Sequence, residues 1–296
     1  MNTKTRFINA LTAVILVFTI VGCNSSSSET SSLTLAIKDA PVDGATEVVV
    51  EFTGVELQPT GGPSVSFDFD STRQIDLLAL QGTDSANLLD GVEVEAGPYQ
   101  WIRLKVNAQA NTMDSFISFE DGSTFSLTVP SGSETGLKLV KGIVVTQGSH
   151  SSFLIDFDLR KSVVNPVGQA NDYFLKPALR LVDNNEAGHI QGTIANVTAE
   201  LDICTDGVVV YVYEGLDIVA DDEGSITSPL TSANVEFDSN ANNYGYTVGF
   251  LTPMDYTLAI TCQAANDSPE VDEDIEFIAS INATVIADQT TTANFE

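Results

Sequence analysis

The chain has 296 residues, with 12 Lys and Arg against 41 Asp and Glu, a formal charge of -29, and only two His, three Cys and one Trp. A chain this acidic is repelled by phosphate backbones, which excludes nucleic acid as a partner. At 43% hydrophobic residues it is too apolar to be wholly disordered, and its length predicts about two domains of ~100 to 200 residues each.

Lys4 and Arg6 precede a mostly apolar run, Phe7 to Val21, broken only by Asn9, Thr12 and Thr19. The run is shorter than the ~20 residues of a stable membrane span, so residues 1–22 read as a signal peptide. Ile20-Val21-Gly22-Cys23 then resembles the bacterial lipoprotein lipobox, in which the Cys thiol takes a diacylglycerol before cleavage. That resemblance makes Cys23 the lipidated residue and the membrane a partner through its anchor. Asn24, standing where inner-membrane retention uses Asp, implies the outer membrane. The rest of 23–32 is Ser-rich and polar, a flexible tether with an r.m.s. reach of roughly 15 Å.

Two thiols remain, Cys204 and Cys262. An exported chain meets an oxidising environment, so a disulfide closing a 58-residue loop is the simplest expectation, with two separate buried thiols as the alternative. Neither Cys has a His or second Cys nearby in sequence, which argues against a metal pair.

The mature chain alternates apolar and polar residues between Gly, Pro, Asp and Asn breaks, and shows no sustained helical stripe. It reads as all-β. Leu33, Leu35 and Ile37 share one face of a first strand, and Val48, Val50 and Phe52 share one face of the next. The parity changes at Gly54, where Val55 and Leu57 take over the apolar side, so a β-bulge is expected there. Further strands are predicted over 64–69, 74–78, 99–107, 114–119, 124–129, 139–146, 152–159 and 173–182, with a short helical turn allowed in 77–89.

Charge marks a boundary. All ten Lys and Arg after the signal peptide lie at or before Arg180, whereas residues 181–296 hold none and carry 21 acids. With the polar junction Asp183 to Gly188, this divides the chain into domains at 33–182 and 188–296. The second is predicted to have strands over 189–199, 207–213, 244–250, 256–262, 276–286 and 290–295. The expected architecture is two tandem β-sandwiches, Ig-like or transthyretin-like, after a signal peptide and tether.

Several spellings of the first domain occur in a set order: Lys38-Asp39-Ala40-Pro41-Val42-Asp43, Ile75-Asp76-Leu77-Leu78, Gly97-Pro98-Tyr99, Val129-Pro130-Ser131-Gly132 through Gly136-Leu137-Lys138, Leu154-Ile155-Asp156-Phe157-Asp158-Leu159 and Leu175-Lys176-Pro177-Ala178-Leu179-Arg180. Together they resemble the bacterial domain of unknown function 4382, found in exported lipoproteins, over about 32–182. The resemblance implies location and fold, not an activity. The second domain is similar to carboxypeptidase regulatory-like modules, which are small transthyretin-like sandwiches. The carrying residues are Gly188 to Ile194, Val208 to Tyr213, and Tyr244-Gly245-Tyr246 through Leu251-Thr252-Pro253 to Tyr256-Thr257-Leu258, with Met254-Asp255 in place of the usual Gly before Tyr256. Such modules are typically noncatalytic.

Catalytic signatures are missing from the sequence. It has no Gly-x-Ser-x-Gly elbow, His-Glu-x-x-His, P-loop or dinucleotide fingerprint, and its only histidines, His150 and His189, sit at a turn and a strand start. Paired carboxylates could hydrolyse glycosides, but with 41 acids some pair always lies at a workable distance. Asp156 and Asp158 are read first as structural pairs to Lys or Arg. Oxygen ligands abound, so calcium is the inorganic partner to consider. The nearest loop spelling is Asp238, Asn240 and Asn242, although its sixth position is Asn243, not Gly, and Gly249 cannot close it. Asp221-Asp222-Glu223 and Asp272-Glu273-Asp274 are alternatives.

One strand offers a candidate ligand face. If Ile102, Leu104 and Val106 point inward, Tyr99, Trp101, Arg103 and Lys105 share the other side, an aromatic and cationic set suited to a sugar ring or anionic polysaccharide. The competing reading has that face covered, with both cations paired to acids. The expectation is a noncatalytic cell-envelope lipoprotein, a binding or structural module at the outer membrane or cell surface, with polysaccharide or an envelope protein as its partner. A carbohydrate-processing enzyme with an unrecognised Asp/Glu pair and a surface-assembly subunit are the alternatives.

Overall fold

The computed structural model describes residues 31–40, 44–130, 136–165, 173–194, 204 and 208–296. The signal peptide, Cys23 and Asn24 lie outside the described residues. Ser31 and Ser32, expected in the tether, instead open the first strand, Ser31–Ala40, where Ser32 pairs with Glu93 on one side and His150 on the other.

The protein is all-β. Among the described residues its first sandwich sets a four-stranded sheet, in the order Leu179–Asp183, His150–Asp158, Ser31–Ala40 and Ala86–Val94, against a nine-stranded sheet built around Ala45–Pro59 and Gly97–Asn107. Leu33, Leu35 and Ile37 meet Val48, Val50 and Phe52 in one core. Phe52 touches Phe157 of the facing sheet edge-on, with ring centroids 6.4 Å apart. The ladder slips between Phe52 and Gly54, so the expected bulge is present and keeps Val55 and Leu57 inward.

Several expectations shift. The predicted strands at 64–69 and 74–78 are one, Val65–Asp76, and the helical turn shrinks to a 3-10 turn, Leu77–Ala79, capped by the Asp76 carboxylate. Residues Ala86–Val94 are a strand because they pair with Ser31–Ala40, a partner remote in sequence that local composition does not reveal. The predicted strand over 139–146 is two short pieces, Leu137–Leu139 and Ile143–Val145. Leu159–Ser162 is a single helical turn capped by Asp158.

Among the described residues the second sandwich has two four-stranded sheets. One runs Glu236–Asp238, Asn243–Leu251, Gly188–Ile194, Thr290–Thr292; the other runs Thr231–Asn234, Val209–Glu214, Asp255–Thr261, Phe277–Thr284. Their facing residues form a separate core from Ile190 to Phe295. Cys204 and Cys262 are joined as a disulfide, Cα atoms 5.4 Å apart, and both flank this core. Thr231–Asn234 and Glu236–Asp238 escaped the sequence reading because runs so short and polar carry no alternation.

The two sandwiches touch. Strand His150–Asp158 is buried on both faces, since its outer side is covered by the second sandwich. Ala36, Leu154 and Val182 there join Ala187 and Phe250 in a small apolar cluster. Gly82, at φ +63, lies so close that a Cβ on Gly249 would run into its carbonyl.

Candidate functional site

The predicted ligand face is only partly assembled. Strand Gly97–Asn107 buries Ile102, Leu104 and Val106 and turns Trp101, Arg103 and Lys105 outward. Tyr99 is not among them. The ladder pairs Gln58 with Trp101 but Pro59 with Tyr99, leaving Gln100 as an extra residue that reverses the parity. Tyr99 is therefore buried, and its hydroxyl donates to the Glu95 carbonyl at 2.8 Å.

The cations on this face are already engaged. Arg103 donates to Glu56 at 2.7 Å and lies 4.8 Å above the Trp101 ring. Lys105 pairs with Asp68 and donates to Ser66. Lys138, which the sequence reading quoted only in a family spelling and did not place on this face, stands 4.3 Å from the Trp101 ring, brought there because its strand pairs Lys138 with Arg103. Cations thus crowd the indole that a sugar would stack on, so this face fits the paired reading better than an open platform.

At the predicted calcium spelling, the Asp238 carboxylate closes its own turn. It accepts from the backbone N–H groups of Asn240 and Ala241 at 2.8 and 3.2 Å, bonds that hold its pKa below the usual range. Asn240 and Asn242 are exposed, and among the described residues no trio of acids, His or Cys converges there.

The domain junction is built from the charge discontinuity. Asp156, 3% exposed, receives Lys38 at 3.2 Å and Arg180 at 2.5 Å. Burial works to raise its pKa, but these two cations outweigh it and hold the carboxyl below its ordinary value. Arg180 also donates to the Phe250 carbonyl, Arg160 to the Ala264 carbonyl, Lys161 to the Pro229 carbonyl, and Lys176 pairs with Glu270. Four bases of the first sandwich thereby hold a second one that has none. His189 has a structural role: its Nδ1 accepts from the Phe250 N–H at 3.0 Å, and burial followed by the nearby Lys38 charge lowers its pKa. His150 bonds to Ser32 on the surface.

A cleft of about 960 Å³ opens beside this junction, lined by both sandwiches. Its walls carry Gln81, Gln191, Asn234, Asn243 and Asn294, side chains that donate and accept at once. Phe237, 52% exposed, stands on its wall with its ring centroid 5.1 Å from that of Tyr244. Asp39, from the Lys38-Asp39-Ala40-Pro41 spelling, borders the cleft, yet both its carboxylate oxygens are buried and have no hydrogen-bond partner. Burial drives its pKa well up, and the carboxyl cannot touch a ligand in the cleft as it stands.

Among the described residues no helix is long and apolar enough to cross a membrane. No curated protein matches the chain. Three solved structures illustrate its likenesses. The minor pilin GBS52 of Streptococcus agalactiae is 11% identical, with 89% of this chain and 94% of that chain covered, at a TM-score of 0.20. A candidate polysaccharide-binding protein of Bacteroides thetaiotaomicron is 11% identical, covering 79% and 78%, at 0.19. A candidate adhesin of Bacteroides ovatus is 9% identical, covering 94% of each chain, at 0.22. Scores this low support no argument about function. The family match is of another kind: residues 30–177, half the chain, fit one family throughout. The chain belongs to the family described as Domain of unknown function (DUF4382).

Proposed function

We propose that this protein is a noncatalytic, lipid-anchored envelope protein of the outer membrane that binds neutral carbohydrate between its two sandwiches. The cleft carries this reading. Its amides match the alternating donors and acceptors of a polyhydroxylated ring, and Phe237 supplies an apolar surface for the ring face. Its exposed ionic groups, Asp84, Glu236 and Asp238, are acidic, and the one cation in its lining, Lys38, is buried and paired with Asp156, which disfavours the anionic polysaccharide suggested by Trp101, Arg103 and Lys105. Cys23 provides the anchor, and the second sandwich acts as a carboxypeptidase regulatory-like module completing the cleft wall.

Glycan-array binding of the full chain tests the reading. Neutral glycans should bind, Phe237→Ala and Asn234→Ala should weaken binding at least tenfold, and Trp101→Ala should leave it unchanged. Binding lost with Trp101→Ala and kept with Phe237→Ala would move the site to the strand face. For the anchor, Cys23→Ser should release the protein from membranes, and membrane association that persists would refute lipidation.

Assembly at the surface is a second reading. The outer edge of strand Val65–Asp76 pairs with no strand among the described residues. That edge carries Asp68, Asp70 and Arg73, charges that discourage strand addition.

A further inference from the structure

Two acidic runs far apart in sequence meet in the second sandwich. Carboxylate oxygens of Asp221, Asp222 and Asp272 lie within 4.8 Å of one another, and so do those of Asp222, Asp267 and Glu273. Asp222 belongs to both trios. It is fully buried, its Oδ2 accepts from the Glu273 N–H at 2.7 Å, and its Oδ1 has no hydrogen-bond partner. A buried carboxylate oxygen with nothing to bond costs more than an exposed acid, and here further carboxylates surround it.

The scaffold beneath is rigid. Tyr211 and Tyr213 alternate with core residues on strand Val209–Glu214, so their hydroxyls project to one side. Tyr211 donates to Asp267 at 2.7 Å and Tyr213 to the Asp221 carbonyl at 2.5 Å, one tyrosine for each loop. Asp267 also accepts from the Glu223 N–H, and Glu273 from the Ser268 N–H. The loops approach so closely at Gly224 that a Cβ there would strike the Val271 carbonyl. These bonds orient the acids and hold their oxygens within 4.8 Å of one another in each trio, as partners outside a metal's own ligands do.

We propose that Asp221, Asp222, Asp267, Asp272 and Glu273 form a calcium site that clamps these two loops together. Oxygens flanking a calcium ion at about 2.3 to 2.6 Å are up to about 5 Å apart, which the trios satisfy. The donors are all hard oxygens, with no imidazole or thiol in either trio, which excludes a preference for zinc or copper. Magnesium favours one or two carboxylates with retained waters, whereas two trios of carboxylates sharing the buried Asp222 suit calcium. The like charge of Asp222 already pushes the Asp272 carboxyl above its usual range, the repulsion that a cation would remove. The clamped loops also carry junction contacts, since Arg160 donates to Ala264 and Lys176 pairs with Glu270. Calcium would therefore stiffen the docking of the two sandwiches.

Titration of the purified, chelator-treated full chain with calcium chloride, followed by calorimetry and thermal melting, tests the site. Saturable binding of about one equivalent is expected, with magnesium chloride binding at least tenfold more weakly. At calcium a hundredfold above Kd the melting temperature should rise by about 5 °C. Asp222→Asn and Asp272→Asn should each weaken binding at least tenfold, and Glu186→Gln should not. Asp272 is exposed, so its variant keeps the test valid if Asp222→Asn fails to fold. In chelator, Asp272→Asn should melt above the parent protein because a like charge is gone, and in calcium the order should reverse. No binding at millimolar calcium, unchanged affinity in Asp272→Asn, or an order that does not reverse would overturn the proposal.

Discussion

Arg180 donates to the Phe250 carbonyl at 3.2 Å across the junction while its other nitrogens hold Asp156. One side chain thus neutralises a buried acid of the first sandwich and fastens the second. Replacing Arg180 with Met should cost about 3 kcal/mol, because Asp156 would keep only Lys38 as partner. The Asp156 pKa is lowered in the folded chain, so its contribution to stability is present above the ordinary carboxylate value and is lost as pH falls through the lowered one. Urea unfolding at pH 7 and pH 3 checks this: the penalty should be large at pH 7 and shrink at pH 3. An equal penalty at both would show that Arg180 acts by packing alone.

Asp39 behaves in the opposite sense. Desolvation raises its pKa against the opposing Lys38 charge, with Asp156, Asp158 and Asp76 adding to the rise. A raised folded pKa means that stability is fully present below the unfolded value, 3.8, and declines as pH climbs through the folded one. Asp39→Asn, which cannot ionise, should therefore stabilise the protein at pH 7, where the aspartate must either hold a proton or bury a charge, and have little effect near pH 4. Denaturant melts at the two pH values decide it. A destabilised variant at pH 7 would mean that Asp39 is ionised and useful where it stands.

Period-two alternation was enough to place most strands and to locate the bulge at Gly54, because a half-buried strand shows its inward face residue by residue. Tyr99 defeated the same logic. A second bulge, at Gln100, depends on how Pro59 meets the neighbouring strand, and nothing local to Tyr99 records that pairing. The cleft was illegible for a related reason: Gln81 meets Asn234 only because the two sandwiches dock, Asn294 reaches the same wall through the second sandwich's own fold, and each reads singly as a polar residue. The acid runs at 221–223 and 272–274 were visible, but their meeting depends on Tyr211 and Tyr213 holding separate loops. Lys138 joined Trp101 through strand register, another long-range fact.

The disulfide closes a loop with a sequence separation of 58. Chain-entropy reasoning assigns about 4 kcal/mol to such a crosslink. Cys204→Ser with Cys262→Ser should lower the denaturation midpoint accordingly, mainly through the unfolded chain, and leave the apolar junction of Ala36, Leu154 and Phe250 intact. Native-state hydrogen exchange would show the loss confined to residues 188–296. Loss of protection spread equally over strand Ser31–Ala40 would contradict that localisation.

Salt acts on two opposed terms. Junction pairs such as Lys176 with Glu270, 43% and 56% exposed, weaken under screening, but pairs this exposed contribute at most about 1 kcal/mol. Against them stand 21 acids after Arg180 with no base among them. Their mutual repulsion acts over distances comparable to the screening length of about 10 Å at 0.1 M salt, and that length contracts to about 3 Å at 1 M. Many weak repulsions therefore outweigh a few weak attractions. In chelator, raising sodium chloride from 0.05 to 1 M should lift the melting temperature by about 3 °C or more. Lys176→Ala should change it by under about 2 °C at either salt concentration. A melting temperature that falls with salt would mean that attraction across the junction, and not repulsion within the acidic sandwich, governs stability.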